Sequence, residues 1–265
     1  MTDNAGTLMT ASQIPKRTYL ITGAANRIGR ALAQSLAQNA AAVVIHYLSS
    51  HSSALELAKE ISNTGVKAFT IAANLESPAE SANLMKQAWN MAGPIDVLIN
   101  NASIFEAGLL TEISMADIQR NMMTNAYAPF LLSRSFAELN KNRTSVALPA
   151  IVNFLDARIT EYDRLHAAYH LAKCTLFTLT KMMALEFAPA VRVNAVAPGL
   201  ILPPSGKDQS YLEQLKSSNP LNRIGNVDQI VDAARFLIDN EYVTGQVIYV
   251  DGGRHLIANT YGYAY

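Results

Sequence analysis

Tyr169 and Lys173 stand four residues apart in a stretch with helical patterning, so both side chains face the same way. A phenol of pKa ~10 is a poor proton donor near neutrality. An ammonium ~5 Å away, at an effective dielectric of ~20, favours the phenolate by about 3 kcal/mol, or more than two pKa units. The pair could then give a proton to a substrate that is receiving hydride. Tyr-x-x-x-Lys arises by chance in many helices, so it carries weight only in company.

The company begins at Thr22-Gly-Ala-Ala-Asn-Arg-Ile-Gly29, directly after an apolar run. A strand, a turn with two glycines and a helix make a cradle for pyrophosphate: Gly23 permits the turn, Gly29 lets helix and sheet approach, and the helix N-terminus offers free N–H groups. Arg27 stands where the common dinucleotide fingerprint has its middle glycine, and an Arg fork suits a 2′-phosphate. The next apolar run ends in His46-Tyr47-Leu48-Ser49-Ser50, without the Asp or Glu that would bond ribose hydroxyls and repel a phosphate. Two serine hydroxyls stand there instead. The expected cofactor is NADP(H), and hydride chemistry is the expected reaction.

These groups need a scaffold that brings distant loops together. Apolar runs at 18–22, 42–47, 68–71, 97–100, 151–154, 191–196 and 246–250 alternate with helical patterns, among them 52–63, Pro78 to about 91, 115–140, 167–187, 211–218 and 226–239. The pattern predicts one α/β domain of Rossmann type at 18–265, a doubly wound seven-stranded parallel sheet with helices on both faces. Residues 1–17 read as a flexible arm. In 265 residues, 21 Lys and Arg balance 21 Asp and Glu, which gives no sign of nucleic acid or an anionic membrane as a partner. No run reaches the ~18 apolar residues of a spanning helix. The single cysteine, Cys174, lies in an apolar helical stretch and reads as a small hydrophobe; a reducing cytoplasm is the expected setting.

With Thr22–Gly29, Asn100-Asn101-Ala102-Ser103, Asn125, Tyr169 with Lys173, and Pro198-Gly199 in this order, the chain resembles the short-chain dehydrogenase/reductase family over about residues 17 to 255. The resemblance implies that Asn125 helps organise the lysine and a water, that Lys173 also holds the nicotinamide ribose, and that the backbone after Gly199 meets the carboxamide. Candidate cofactor contacts are Gly23, Arg27, Ile28, Gly29, Tyr47, Ser49, Ser50, Asn74, Leu75, Asn101, Ala102, Ser103, Lys173, Pro198 and Gly199. A homotetramer is implied as well.

Where most members of that family carry a serine, this chain has Asp156. An anion facing a polarised carbonyl opposes the charge developing on its oxygen, so simple ketone reduction is disfavoured. A carboxylate suits a ring nitrogen that must gain a proton. The chain looks like the pteridine reductases, including bacterial dihydropteridine and dihydromonapterin reductases, which share the Thr-Gly-x-x-x-Arg-x-Gly loop, His-Tyr, Asn-Asn-Ala-Ser and the Asp. This implies a dihydropterin or dihydrofolate substrate held by Ser103, Phe105, Asp156 and Tyr169, with the Phe105 ring on the pterin. Asn74 replaces an Asp expected beside the adenine amino group, Leu48 and Ser49 replace basic residues, and Leu202-Pro-Pro-Ser-Gly206 reads as a substrate flap. A carbonyl or 3-oxoacyl-thioester reductase and a non-catalytic NADP(H) sensor are the alternatives. Asp156 and Phe105 oppose the first, and the intact Asn125, Tyr169 and Lys173 oppose the second. His166 and His170 share a helical face without a third ligand at matching spacing, so no metal is expected. Tyr261, Tyr263 and Tyr265 suggest a tail buried in an assembly.

Overall fold

The computed structural model describes residues 16–145, 147–204 and 206–257. Most of the expected arm and the three tail tyrosines lie outside these. Arg17 does not belong to an arm: it is the buried first residue of β1, and its guanidinium pairs with Asp239.

Strands β1 (Arg17–Ile21), β2 (Ala40–Tyr47), β3 (Lys67–Ala72), β4 (Val97–Asn100), β5 (Ala150–Phe154), β6 (Arg192–Pro198) and β7 (Val247–Val250) form one sheet in the order β3-β2-β1-β4-β5-β6-β7. Every neighbouring pair is parallel, as the alternation of strand and helix patterns predicts. Both faces are covered. Tyr19, Ile21, Val43 and Ile45 pack towards α1 (Arg27–Ala37), α2 (His51–Ser62) and α8 (Val227–Asp239). The alternate residues Leu20, Val44 and Leu98 pack towards α3 (Pro78–Ala92), α5 (Ala128–Asn140) and α6 (Ala167–Glu186). This period of two on a sheet buried from both sides explains why the strands read as continuous apolar runs.

The strand order reverses between β1 and β4, and crevices form beyond the carboxyl ends of strands at such a switch point. The phosphate loop leaves β1 there, and Asn101 leaves β4. One predicted element is broken. The helical pattern at 115–140 becomes α4 (Met115–Met122), a π-helical segment (Met123–Tyr127) and α5. Pro129 has no N–H for the carbonyl four residues back, that of Asn125, so the ladder widens and Ala128 N bonds Met123 O instead. The remaining helices are α7 (Gln209–Leu215), continued by a 3₁₀ turn at Lys216–Ser218, and the short α9 (Arg254–Ile257).

Candidate active site

At the switch point the loop between β1 and α1 is fastened to its surroundings by neutral groups. Gly23 has φ +61°, and a Cβ there would lie 2.9 Å from Ala102 Cα; a Cβ on Gly29 would lie 2.3 Å from the Gly23 oxygen. Thr22 Oγ1 accepts from the amides of Asn101 and Ala102, both at 3.0 Å. The Asn101 amide group donates to the carbonyls of Thr22 (2.9 Å) and Gly23 (3.2 Å). His46 Nδ1 accepts from Gly23 N at 3.1 Å, and its Nε2 faces the Ala73 carbonyl at 3.1 Å. Burial pushes the His46 pKa down to about 4, so the ring is neutral, an acceptor at Nδ1 and a donor at Nε2. Helix α1 starts at Asn26 with no side-chain cap and no acidic residue in its first turn, which leaves its amides for an anion. This donor set fits the diphosphate of a dinucleotide.

Arg27 follows in the same loop and lines the cavity beside it. Its backbone is left-handed, φ +54°, which accounts for the glycine that the common fingerprint has at this position. That backbone sends the side chain towards the flap, where Nη2 donates to the Pro203 carbonyl at 2.8 Å. No hydrogen bond joins it to Ser49 or Ser50 among the described residues, and its part in holding a 2′-phosphate stands as a proposal. Ser50 Oγ instead accepts from Asn26 Nδ2 at 3.0 Å, and the Tyr47 hydroxyl meets His51 Nδ1 at 2.6 Å. Asn74 Oδ1 already accepts from Glu76 N at 3.0 Å and keeps one lone pair for an adenine amino group.

A single cavity of about 1040 Å³ runs from this loop to the helix α6. It is lined by Gly23, Arg27, Ile28, Gly29, Asn74, Leu75, Asn101, Ala102, Ser103, Phe105, Asp156, Tyr169, Lys173, Pro198 and Gly199, residues that sequence reasoning singled out. Tyr47, Ser49 and Ser50 lie outside that lining, where Leu48 takes their place. Asn125 is fully buried behind it. Its Oδ1 accepts from Ser103 Oγ (2.9 Å) and Ile104 N (3.0 Å), and its Nδ2 donates to Ile104 O (3.0 Å). Asn125 therefore shapes the Ser103–Phe105 wall and has no direct bond to Lys173.

Tyr169 and Lys173 are both buried on α6. Lys173 Nζ donates to the Phe154 carbonyl at 2.7 Å and lies 5.6 Å from the centre of the Tyr169 ring. The Tyr169 hydroxyl donates to Asp156 Oδ2 at 3.0 Å. The expected lowering of the phenol pKa is reversed here. Burial and the Asp156 carboxylate hold Tyr169 well above its ordinary value, and burial brings Lys173 down to about 8. Tyr169 thus keeps its proton and points it at a carboxylate.

Two residues that the sequence did not single out for this wall are Arg158 and His166. Asp156 Oδ1 accepts from Arg158 N (2.8 Å) and Nε (3.3 Å), so it caps the 3₁₀ turn Ala157–Thr160 as well as facing Tyr169. Arg158 also pairs with Asp163, which in turn holds His166 Nδ1 at 3.0 Å. The His166 ring stacks on Phe105 with centroids 4.0 Å apart, and Tyr169 meets Phe105 edge-on at 4.8 Å. The only signal for Arg158 was its position two residues after Asp156, the spacing of a carboxylate that caps its own turn. His170 is engaged separately, 3.4 Å from Cys174 Sγ, and burial raises the thiol pKa, in keeping with an inert cysteine.

Known proteins resemble this chain throughout. A family profile described as Enoyl-(Acyl carrier protein) reductase matches residues 23–255. The solved structure of FolM Alternative dihydrofolate reductase 1 from Brucella canis, complexed with NADP, superposes with a TM-score of 0.83 at 32% identity, covering 92% of this chain and 96% of that one. The 3-oxoacyl-(acyl-carrier-protein) reductase FabG of Staphylococcus epidermidis is 30% identical over 91% of this chain and 99% of its own length. An uncharacterized oxidoreductase of Bacillus subtilis, YmfI, is 30% identical over 90% of this chain and 99% of its own.

Proposed function

The chain belongs to the short-chain dehydrogenase/reductase family, and we propose that within it the protein reduces dihydropterins, dihydrofolate included, to the tetrahydro form. It is an oxidoreductase that uses NADP(H), the cofactor in the FolM structure it resembles. One observation carries the substrate reading: a carboxylate, Asp156, accepts a hydrogen bond from the active-site phenol at 3.0 Å. A neutral serine at that place would steady a carbonyl oxygen, whereas the carboxylate opposes negative charge there.

When bound, NADPH supplies the hydride. The chain's residues manage the proton. Tyr169 holds it against Asp156, and the pair supplies it to the ring nitrogen of the C=N bond that takes the hydride. The Lys173 cation offsets the charge left on the phenol, which regains a proton from solvent. Phe105 offers an aromatic wall for a flat ring. The 3-oxoacyl-thioester reading has the FabG relationship in its favour and Asp156 against it. Exposed Leu171, Met182 and Leu185 on α6 favour an oligomer, which we take to be a homotetramer. No helix among the described residues is long and apolar enough to cross a membrane.

The decisive measurement is turnover of dihydrobiopterin, dihydromonapterin, dihydrofolate and an acetoacetyl thioester with NADPH. Reduction of one or more pterins is the expected result. Turnover of the thioester alone would remove the proposal.

A further inference from the structure

His166, directly before α6, and Tyr169 on its first turn both line the cavity, and each faces a carboxylate at 3.0 Å. The His166 ring meets Asp163 Oδ2 through Nδ1, and the Tyr169 hydroxyl meets Asp156 Oδ2. One cation, Arg158, joins the two carboxylates. Its Nε donates to Asp156 Oδ1 at 3.3 Å, its Nη2 lies 3.5 Å from Asp156 Oδ2, and its Nη1 pairs with Asp163 Oδ2. The same guanidinium lies 5.3 Å from the centre of the Phe105 ring. A single side chain thus touches both the proton machinery and the aromatic wall.

The guanidinium decides how the Asp156 carboxylate is turned. The terminal torsion of an aspartate is broad, and its two oxygens offer about four lone-pair sites. Arg158 takes Oδ1, which leaves Oδ2 for the Tyr169 hydroxyl. Among the described residues no other cation forms an ion pair with Asp156. On its far edge Arg158 holds Asp163, whose side chain is only 7% exposed, and Asp163 fixes the His166 ring that stacks on Phe105 at 4.0 Å. The turn at Ala157–Thr160 does not need this side chain. Its cap is the bond from Arg158 N to Asp156 Oδ1 at 2.8 Å, and the backbone of any residue but proline supplies that donor.

We propose that Arg158 is a positioning residue for the reaction, aiming the Asp156 carboxylate at Tyr169 and, through Asp163, holding the His166–Phe105 stack in place. The inference rests on the pterin reading for the flat ring that Phe105 receives, and it adds the group that couples ring seating to proton supply. Two separable losses follow. Freeing Asp156 lowers kcat, because the proton source loses its aim, and loosening Phe105 raises KM. Arg158 carries both, whereas Asp163 carries the second alone. Lysine cannot replace the arginine, since a point charge lacks the planar fork that meets two carboxylates and lies against a ring.

The test measures kcat and KM for dihydrobiopterin, and NADPH dissociation, in the wild type, Arg158→Ala, Arg158→Lys and Asp163→Asn. In Arg158→Ala kcat should fall by about ten- to hundredfold, the scale of a hydrogen bond between charged groups, with NADPH dissociation hardly changed. Millimolar guanidinium should restore part of that kcat, and urea at the same concentration should not. Asp163→Asn should raise KM several-fold and spare kcat. Arg158→Lys should still lose kcat, by less than the alanine variant, and it decides the matter if Arg158→Ala does not fold. Wild-type kcat in Arg158→Lys and Arg158→Ala, or a loss in Arg158→Ala that guanidinium leaves untouched, overturns the inference while the pterin reading stands. A wild type that turns over the acetoacetyl thioester and no dihydropterin removes the pterin reading; Arg158 is then judged by the same kcat loss and guanidinium rescue on the thioester, where Tyr169 must still be aimed.

Discussion

Around the phosphate loop, neighbours are joined by backbone amides and neutral side chains: Thr22, His46 and Asn101 each bond a carbonyl or an N–H of an adjacent strand end. Around Asp156 the joints are charges, running from Asp156 through Arg158 and Asp163 to His166. The first arrangement makes a rigid cradle whose shape depends on close backbone approach. The second places mobile protons and fixed charges beside a stacking ring. A cofactor common to many reactions needs the rigid end, and in the proposed reaction the charged end sets the selectivity.

Substitution of Asp156 should separate the two ends most widely. Asp156→Asn keeps the shape but cannot relay a proton, so pterin turnover should fall by about two to four decades. Asp156→Ser should also damage pterin reduction while sparing or improving any side activity on reactive diketones. NADPH dissociation, measured by fluorescence titration, should hardly change in either, because the bonds of Asp156 run to Tyr169 and Arg158 and not to the phosphate loop. Near wild-type pterin turnover by Asp156→Ser would reduce the carboxylate to a turn cap.

A change of pH should act on the opposite end. His46 has a folded pKa of about 4, below the ordinary 6.5, so it stays neutral in the fold and gains a proton more readily unfolded. Its contribution to stability is therefore complete above pH 6.5 and is lost as pH falls through 6.5 towards 4, by roughly 3 kcal/mol. Urea melts of wild type and His46→Gln at pH 7 and about pH 4.5 isolate it from other groups. The variant should lose less than the wild type between those values. Equal losses would mean that protonation of His46 does not govern the loop.

The smallest effects should come from the outer edge of the cradle. Arg27→Ala releases the flap from the loop and should raise KM for NADPH and NADH alike, by less than about tenfold, the scale of one hydrogen bond. Ser50→Ala should weaken NADPH alone, by about three- to tenfold. A loss confined to NADPH in Arg27→Ala would return the guanidinium to the 2′-phosphate and redraw the boundary between the two regions.

The sequence made the cofactor end legible because its geometry is local. The turn at Gly23 and the helix after it are contiguous, and the apolar runs announced a parallel sheet. The break at Asn125 was written in the chain as Pro129, four residues on, yet the surrounding apolar pattern reads as one uninterrupted helix. The direction of Arg27 depends on a left-handed backbone, which residue type does not reveal.

By itself the sequence determined the fold class, the family motifs and the presence of a carboxylate where a serine is usual. Those are properties of periodicity and residue identity, and they survive small errors in position. Only the tertiary structure decided that Tyr169 donates to Asp156 with its pKa raised, and that Arg158 and His166 build the Phe105 wall. The reason is physical: burial and charge pairing depend on distances between residues far apart in the chain, and such distances exist only after the sheet has brought its loops to one edge.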